Sequence, residues 1–152
     1  MNTLEIGVAL IRRIEQEIQW LGIHNQTKHQ IDFVIAHRLE KESWRDSVTR
    51  EVAWQLDLDR NRDIVVSNMA QLNVEFEAAL PGETDSTQIA CAFYNVQLYR
   101  KAAREKISAD ENYLWLSCDE ILAGQTEAGV VISPMLMLLN GHAKVIRHEA
   151  IE

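Results

Sequence analysis

The sequence predicts an α+β (mixed α/β) protein, a sheet covered by helices, folded as a single domain over residues 1–152. Three observations carry this reading. The length suits about one domain. The apolar and turn patterns run in the order strands, helix, strands, helix, which is a layered sheet-and-helix arrangement. There is no regular βαβαβ alternation, so a Rossmann fold is not expected, and neither GxGxxG nor GxxxxGK[ST] occurs to support nucleotide binding of those kinds. Hydrophobic residues make up 47% of the chain and charged residues 25%. That supplies a core without help from disulfides or a structural metal.

The elements follow in order. "IGVALI", Ile6 to Ile11, is a continuous apolar run and reads as a buried strand. "EIQWLGIHN" follows closely enough to pair with it as a hairpin, and "IDFVIA", Ile31 to Ala36, is a third strand. Ser43 opens a helix as its N-cap, with Asp46 three residues on in a variant capping box. Trp44, Val48, Val52 and Leu56 recur every fourth residue and give that helix one apolar stripe. "DIVVSNMAQLNVEF", Asp63 to Phe76, reads as one or two strands, and "LPGETDST" as a loop. "QIACAFYNVQLYR" is the strongest strand signal, "ISADEN" a loop and "YLWLS" a short strand. "CDEILAG" is a short helix stopped by Gly124. Pro134 fits the first turn of a closing helix, "PMLMLLNGHAKVI".

Charge narrows the partners. Fifteen basic and 23 acidic residues leave a net charge of −8. Such a chain repels a nucleic-acid backbone and an anionic membrane, so neither a long nucleic acid nor a membrane is expected. A small phosphorylated ligand remains compatible if a local cation meets it. Cys91 and Cys118 form no CxxC pair and no zinc-spaced cluster with histidine. Cys91 sits in an apolar run and reads as a small buried hydrophobe. The first residues lack the charge order of a signal peptide, and no apolar run approaches the ~20 residues of a membrane span. The expectation is a cytoplasmic protein. A homodimer is expected only from the small size and acidity of the domain.

The segment from Ala36 to Leu58 holds the chemistry. Glu42 is followed eight residues later by Arg50-Glu51, then Val52 and, further on, Leu58. In that register the stretch resembles the signature of the Nudix hydrolase family. The signature is a Gly, five residues, a Glu, seven residues, Arg-Glu, an aliphatic residue, any residue, Glu-Glu, any residue, Gly and an aliphatic residue. Glu42, Arg50, Glu51, Val52 and Leu58 match it. Ala36, Trp54, Gln55 and Asp57 depart from it. "IGVALIRR…WLGIHN" is similar to the family's opening strands, and "FYNVQLYRK" to its late central strand. "NYLWLSCDEILAG" resembles a common late sequence, and a proline-initiated closing helix is usual there. The resemblance implies a Nudix-like α/β/α sandwich with a mixed sheet across nearly the whole chain.

The resemblance also implies the site. The family's chemistry is cleavage of a pyrophosphate bond, with Mg²⁺ neutralising the clustered negative charge through hard carboxylate ligands. Glu51 and Gln55, four apart, share a helix face, and Trp54 flanks it. The three positions would be a carboxylate trio in the family, and here Glu51 alone is anionic. Gln55 keeps a carbonyl oxygen without charge. Trp54 cannot ligate a metal; its indole either plugs the metal's volume, the favoured expectation, or stacks on a ligand. Mg²⁺ is therefore doubtful, held weakly by Glu51 if at all. Glu42 and Arg50 would orient the metal-binding carboxylate, or else form a solvated surface pair. Glu111, beside Asp110 in the "ISADEN" loop, is the choice for a general base if one survives. His37 and Arg38, just before the helix, stand where a phosphate could approach. Asp46 and Ser47 are poor substitutes as ligands, and Glu75 and Glu77 read as a solvent-facing strand edge.

Three functions fit. The first is a Nudix-like module that binds a nucleotide derivative or regulates, without normal pyrophosphohydrolase activity. The alternative is an active Mg²⁺-dependent hydrolase of nucleoside diphosphate derivatives with shifted ligands, using Glu51, Glu42 and Glu111. The second alternative is a non-catalytic protein-interaction subunit, in which Glu51 is an ordinary helix carboxylate.

Overall fold

A computed structural model describes residues 3–148. The strands are β1 (Thr3–Ile14), β2 (Ile18–Asn25), β3 (Gln30–Asp32), β4 (Val34–His37), β5 (Ile64–Val66), β6 (Leu72–Ala79), β7 (Ser86–Leu98), β8 (Tyr113–Ser117) and β9 (Val131–Ile132). The helices are α1 (Trp44–Leu56), α2 (Lys101–Ala109), α3 (Cys118–Ala123) and α4 (Pro134–Ala143). The α+β expectation holds: a mixed nine-stranded sheet carries four helices among the described residues.

β1 and β7 are the spine. They run parallel, in register from Thr3↔Gln88 to Ile11↔Val96. β4 lies antiparallel on the other edge of β1, while β5 and β6 share the outer edge of β7. Only the last residues of β1, Arg12 to Ile14, turn to pair with β2, which carries β3 and β8. The expected hairpin therefore forms, and it acts as the bridge between two parts of the sheet.

Alternation along the spine builds two cores. Ile6, Val8 and Leu10 of β1 join Ile89, Cys91 and Phe93 of β7 in one, closed by Leu136 and Leu139 of α4. Ala9 and Ile11 join Ala92, Tyr94 and Val96 in the other, closed by Val48, Val52 and Leu56 of α1. The predicted helix stripe is thus buried, with Val48, Val52 and Leu56 at most 1% exposed. Each such side chain contributes about 1.5–3 kcal/mol by burial. Gly7 lets α1 sit this close: a Cβ there would meet the Val48 Cγ2 at 2.6 Å.

Four expectations need correction. "IDFVIA" is not one strand. It crosses from one part of the sheet to the other at Phe33: Ile31 faces β2 and β9, and Ile35 faces β1. The "ISADEN" loop begins later than expected, because Ile107, Ser108 and Ala109 complete α2, a helix not foreseen at all. Its anchors are Ala103 and Ile107, four apart and buried. The two-residue strand β9 was also unforeseen; it is held by pairing with β3 rather than by its own sequence. The closing helix stops at Ala143, where Lys144 turns left-handed with φ 55°, so Val145 and Ile146 pack into the core from beyond the helix. No helix among the described residues is long and apolar enough to cross a membrane.

Candidate functional site

The site is built where β1, β4 and the first turns of α1 meet. Ser43 caps α1 by accepting from the Asp46 amide at 3.0 Å, as its sequence position predicts. Arg45 then ties the helix to β5 by donating to the carbonyls of Val66 and Ser67. These contacts fix the helix, and the buried stripe sets its rotation, so the face carrying Arg50, Glu51 and Gln55 is aimed away from the core.

Arg50 is the hub. Its Nε donates to Glu42 Oε2 and its Nη2 to Glu42 Oε1, both at 3.0 Å. Its Nη1 donates to Glu51 Oε2 at 2.9 Å, and Nη2 also reaches the His37 carbonyl at 3.0 Å. This bidentate fork is the strong form of a carboxylate pair. Glu42 is held from two further sides, by the hydroxyl of the fully buried Ser47 and by the Leu39 amide. The Arg50 fork, then Ser47 and Leu39, hold the Glu42 carboxyl down at about 2 against the opposing effect of burial. The same pairing raises the Arg50 pKa. Glu42 and Arg50 thus form a part-buried pair rather than a solvated one: the Glu42 side chain is 18% exposed and Glu51 19%.

Each Glu51 oxygen already accepts one hydrogen bond. Oε2 accepts from Arg50 and Oε1 from the Gln55 side-chain amide at 2.8 Å. Gln55 therefore turns its donor, not its carbonyl oxygen, toward the carboxylate. Trp54 does not plug the site. Its indole is 77% exposed, standing in solvent beside the helix. The reason is angular: Trp54 lies next to Gln55 on the outward side, and the inward volume is already filled by Val52 and Leu56.

The remaining expected residues are dispersed around this hub. Arg38 is taken by structure: its Nε donates to Glu5 and its Nη1 to the Glu42 carbonyl, with the guanidinium over the Trp44 ring. His37 ends β4 with its side chain on a cleft. Glu111 is exposed in the turn before β8, and no hydrogen bond or ion pair among the described residues joins its side chain to Glu51. Glu75 and Glu77 face solvent on β6, as expected.

The cleft runs beside Gln55 and encloses about 380 Å³. Ile6, Ile23, Phe33 and Ile35 give it apolar walls, and Asn25, Asp32, His37 and Gln55 are its polar groups. Asp32 was missed in the sequence. Its only signal is a charge inside an otherwise apolar run, and its carboxylate is positioned by the hydroxyl of Ser133, the N-cap of α4. Ser47 was weighed as a ligand, yet its work is to hold Glu42.

The fit of Mg²⁺ can be judged from these contacts. A divalent cation of this kind wants several free carboxylate oxygens. The helix face offers one carboxylate, and both its oxygens are already hydrogen-bonded. Among the described residues no group of three or more His, Cys, Asp or Glu is placed to hold a metal ion. These residues do not fit the ion.

The architecture is that of the Nudix fold. The chain is similar to an Ap4A hydrolase of C. elegans, with TM-score 0.55 and 11% identity over 80% of this chain and 86% of that one. It is similar to NrtR of Shewanella oneidensis, with TM-score 0.59 and 13% identity over 90% of this chain and 60% of that one. A mutT/nudix family protein of Listeria innocua matches with TM-score 0.55 and 14% identity over 90% and 89%. No family model and no curated protein sequence matches the chain.

Proposed function

We propose that the protein is a binding module on a Nudix fold, one that holds a small phosphorylated or nucleotide-derived ligand without normal pyrophosphohydrolase turnover. The observation that carries this reading is the state of Glu51. It is the single carboxylate on the helix face, and each of its oxygens already accepts a hydrogen bond, from Arg50 and from Gln55. The orienting network survives while the ligands it would orient are replaced by Trp54 and Gln55. The cleft supports binding: its apolar walls suit a planar or aliphatic body, and Asp32, His37 and Gln55 give it direction. Trp54 offers an exposed aromatic face nearby for stacking.

The test is calorimetric titration of the full chain with a panel of nucleoside diphosphate derivatives, with and without Mg²⁺, and product analysis of the same samples. Binding without product supports the reading. Turnover of any of them at ordinary enzyme rates, about 1 s⁻¹ or more, overturns it.

A second reading, a hydrolase with shifted ligands, is favoured by the intact Glu42–Arg50–Glu51 network. It requires Glu51→Gln to abolish a measurable Mg²⁺-dependent activity. An unchanged rate in that variant removes it.

A further inference from the structure

A second cleft lies at the far end of β1. Arg12 is seven residues from Glu5 on the same strand, which is about 23 Å at 3.3 Å per residue. Glu5 is the partner of Arg38 beside α1, so the two clefts lie at opposite ends of the spine. This one encloses about 530 Å³, and Arg12, Arg13, Ile14, Val65, Asn95 and Gln97 are among the residues that line it.

Arg12 is the anomaly in it. Arg13, Arg38, Arg45 and Arg50 are half-buried like Arg12, and each donates to a named acceptor. Arg12 donates to none and pairs with no acid among the described residues. Its neighbour Arg13 is engaged: its Nε donates to Gln19 Oε1 at 2.7 Å and lies 3.9 Å from a Glu15 carboxylate oxygen, and its guanidinium sits over Trp115. Asn95 Oδ1 is buried with no partner, yet it does not accept from Arg12. Burial acts on the Arg12 guanidinium uncompensated and lowers its pKa. A partly desolvated cation with no counter-charge costs free energy that an incoming anion offsets.

We infer that this cleft binds a small aliphatic monocarboxylate, its carboxylate on the Arg12 guanidinium and its chain along Ile14 and Val65. The planar fork of arginine matches a planar carboxylate through two parallel hydrogen bonds. One unpaired cation balances one negative charge. A phosphate dianion would leave a charge unmatched in a chain of net charge −8. Ile14 is 69% exposed and Val65 47%, an apolar surface placed to take an alkyl chain from water.

The experiment is an amide and arginine Nε–H NMR titration of the full chain at fixed ionic strength. Hexanoate, acetate and inorganic phosphate are the probes, and sodium chloride is the reference. Hexanoate is expected to shift Arg12 Nε–H and the amides of Val65, Ser67 and Gln97. It saturates at a severalfold lower concentration than acetate, because its chain adds buried methylenes. Arg12→Gln, which removes a group without structural partners, is expected to fold normally and bind at least about tenfold more weakly. Glu51→Gln, at the other end of the spine, leaves the shifts unchanged. Shifts no larger than those from chloride, equal shifts in Arg12→Gln, or phosphate saturating below hexanoate would each overturn the inference.

Discussion

At the scale of the residue, Glu42 is the keystone of the helix face. Its carboxyl is held at about 2, below its ordinary value of 4.5, chiefly by Arg50 and then by Ser47. The sign of the pH effect follows. A depressed folded pKa means that the unfolded chain takes up the proton first as pH falls. The contribution is complete above about 4.5 and is lost as pH drops from there through 2. Glu42→Gln is expected to lose about 1–3 kcal/mol at pH 7. The gap between parent and variant should narrow by pH 3, as read by urea denaturation at both pH values. Trp54 gives the opposite case. With its indole in solvent, Trp54→Ala is expected to change stability by no more than about 0.5 kcal/mol. A plugged indole would instead cost about 3–5 kcal/mol on truncation. Thermal denaturation separates the two.

At the scale of the element, α1 depends on features far apart in sequence. Gly7→Ala would drive a methyl group into Val48 Cγ2, and Val48 is fully buried. The helix must lift or the strand must bend, at a cost of about 1–3 kcal/mol in chemical denaturation. The end of α1 holds a milder strain. Asp57 stands at its C-cap with φ 52°, in the left-handed region where glycine is at ease. Lys106 of α2 compensates by donating to both the carboxylate and the carbonyl of Asp57. Asp57→Gly is therefore expected to be near neutral, and Asp57→Ala to cost about 1 kcal/mol. These elements also show what the sequence could reveal. The α1 stripe and the Ser43 cap are local patterns, and they were legible. The α2 helix was not, because its apolar face is only Ala103 and Ile107, and its neighbours are charged rather than patterned. The break at Phe33 was hidden because both halves of "IDFVIA" are buried, and only the pairing partners distinguish them.

At the scale of the whole molecule, one spine of two parallel strands holds two separate clefts and a helix face of unusual composition. The spacing of Glu42, Arg50 and Glu51 was readable because all three lie within one loop–helix segment. The place of Asp32 was not, because its partner Ser133 is 101 residues away. Nor could spacing show that Gln55 would spend its amide on Glu51, or that Trp54 would point outward. On the proposed reading, this face keeps the Glu42–Arg50–Glu51 network and does not hold a divalent cation tightly. Manganese titration followed by electron paramagnetic resonance tests it most directly, on the parent and on the double variant Trp54→Glu, Gln55→Glu. The parent is expected to bind no more tightly than about millimolar. The double variant, with three carboxylates on one face, is expected to bind at least about tenfold more tightly. Tight binding by the parent that is lost in Glu51→Gln would show instead that Glu51 holds the ion.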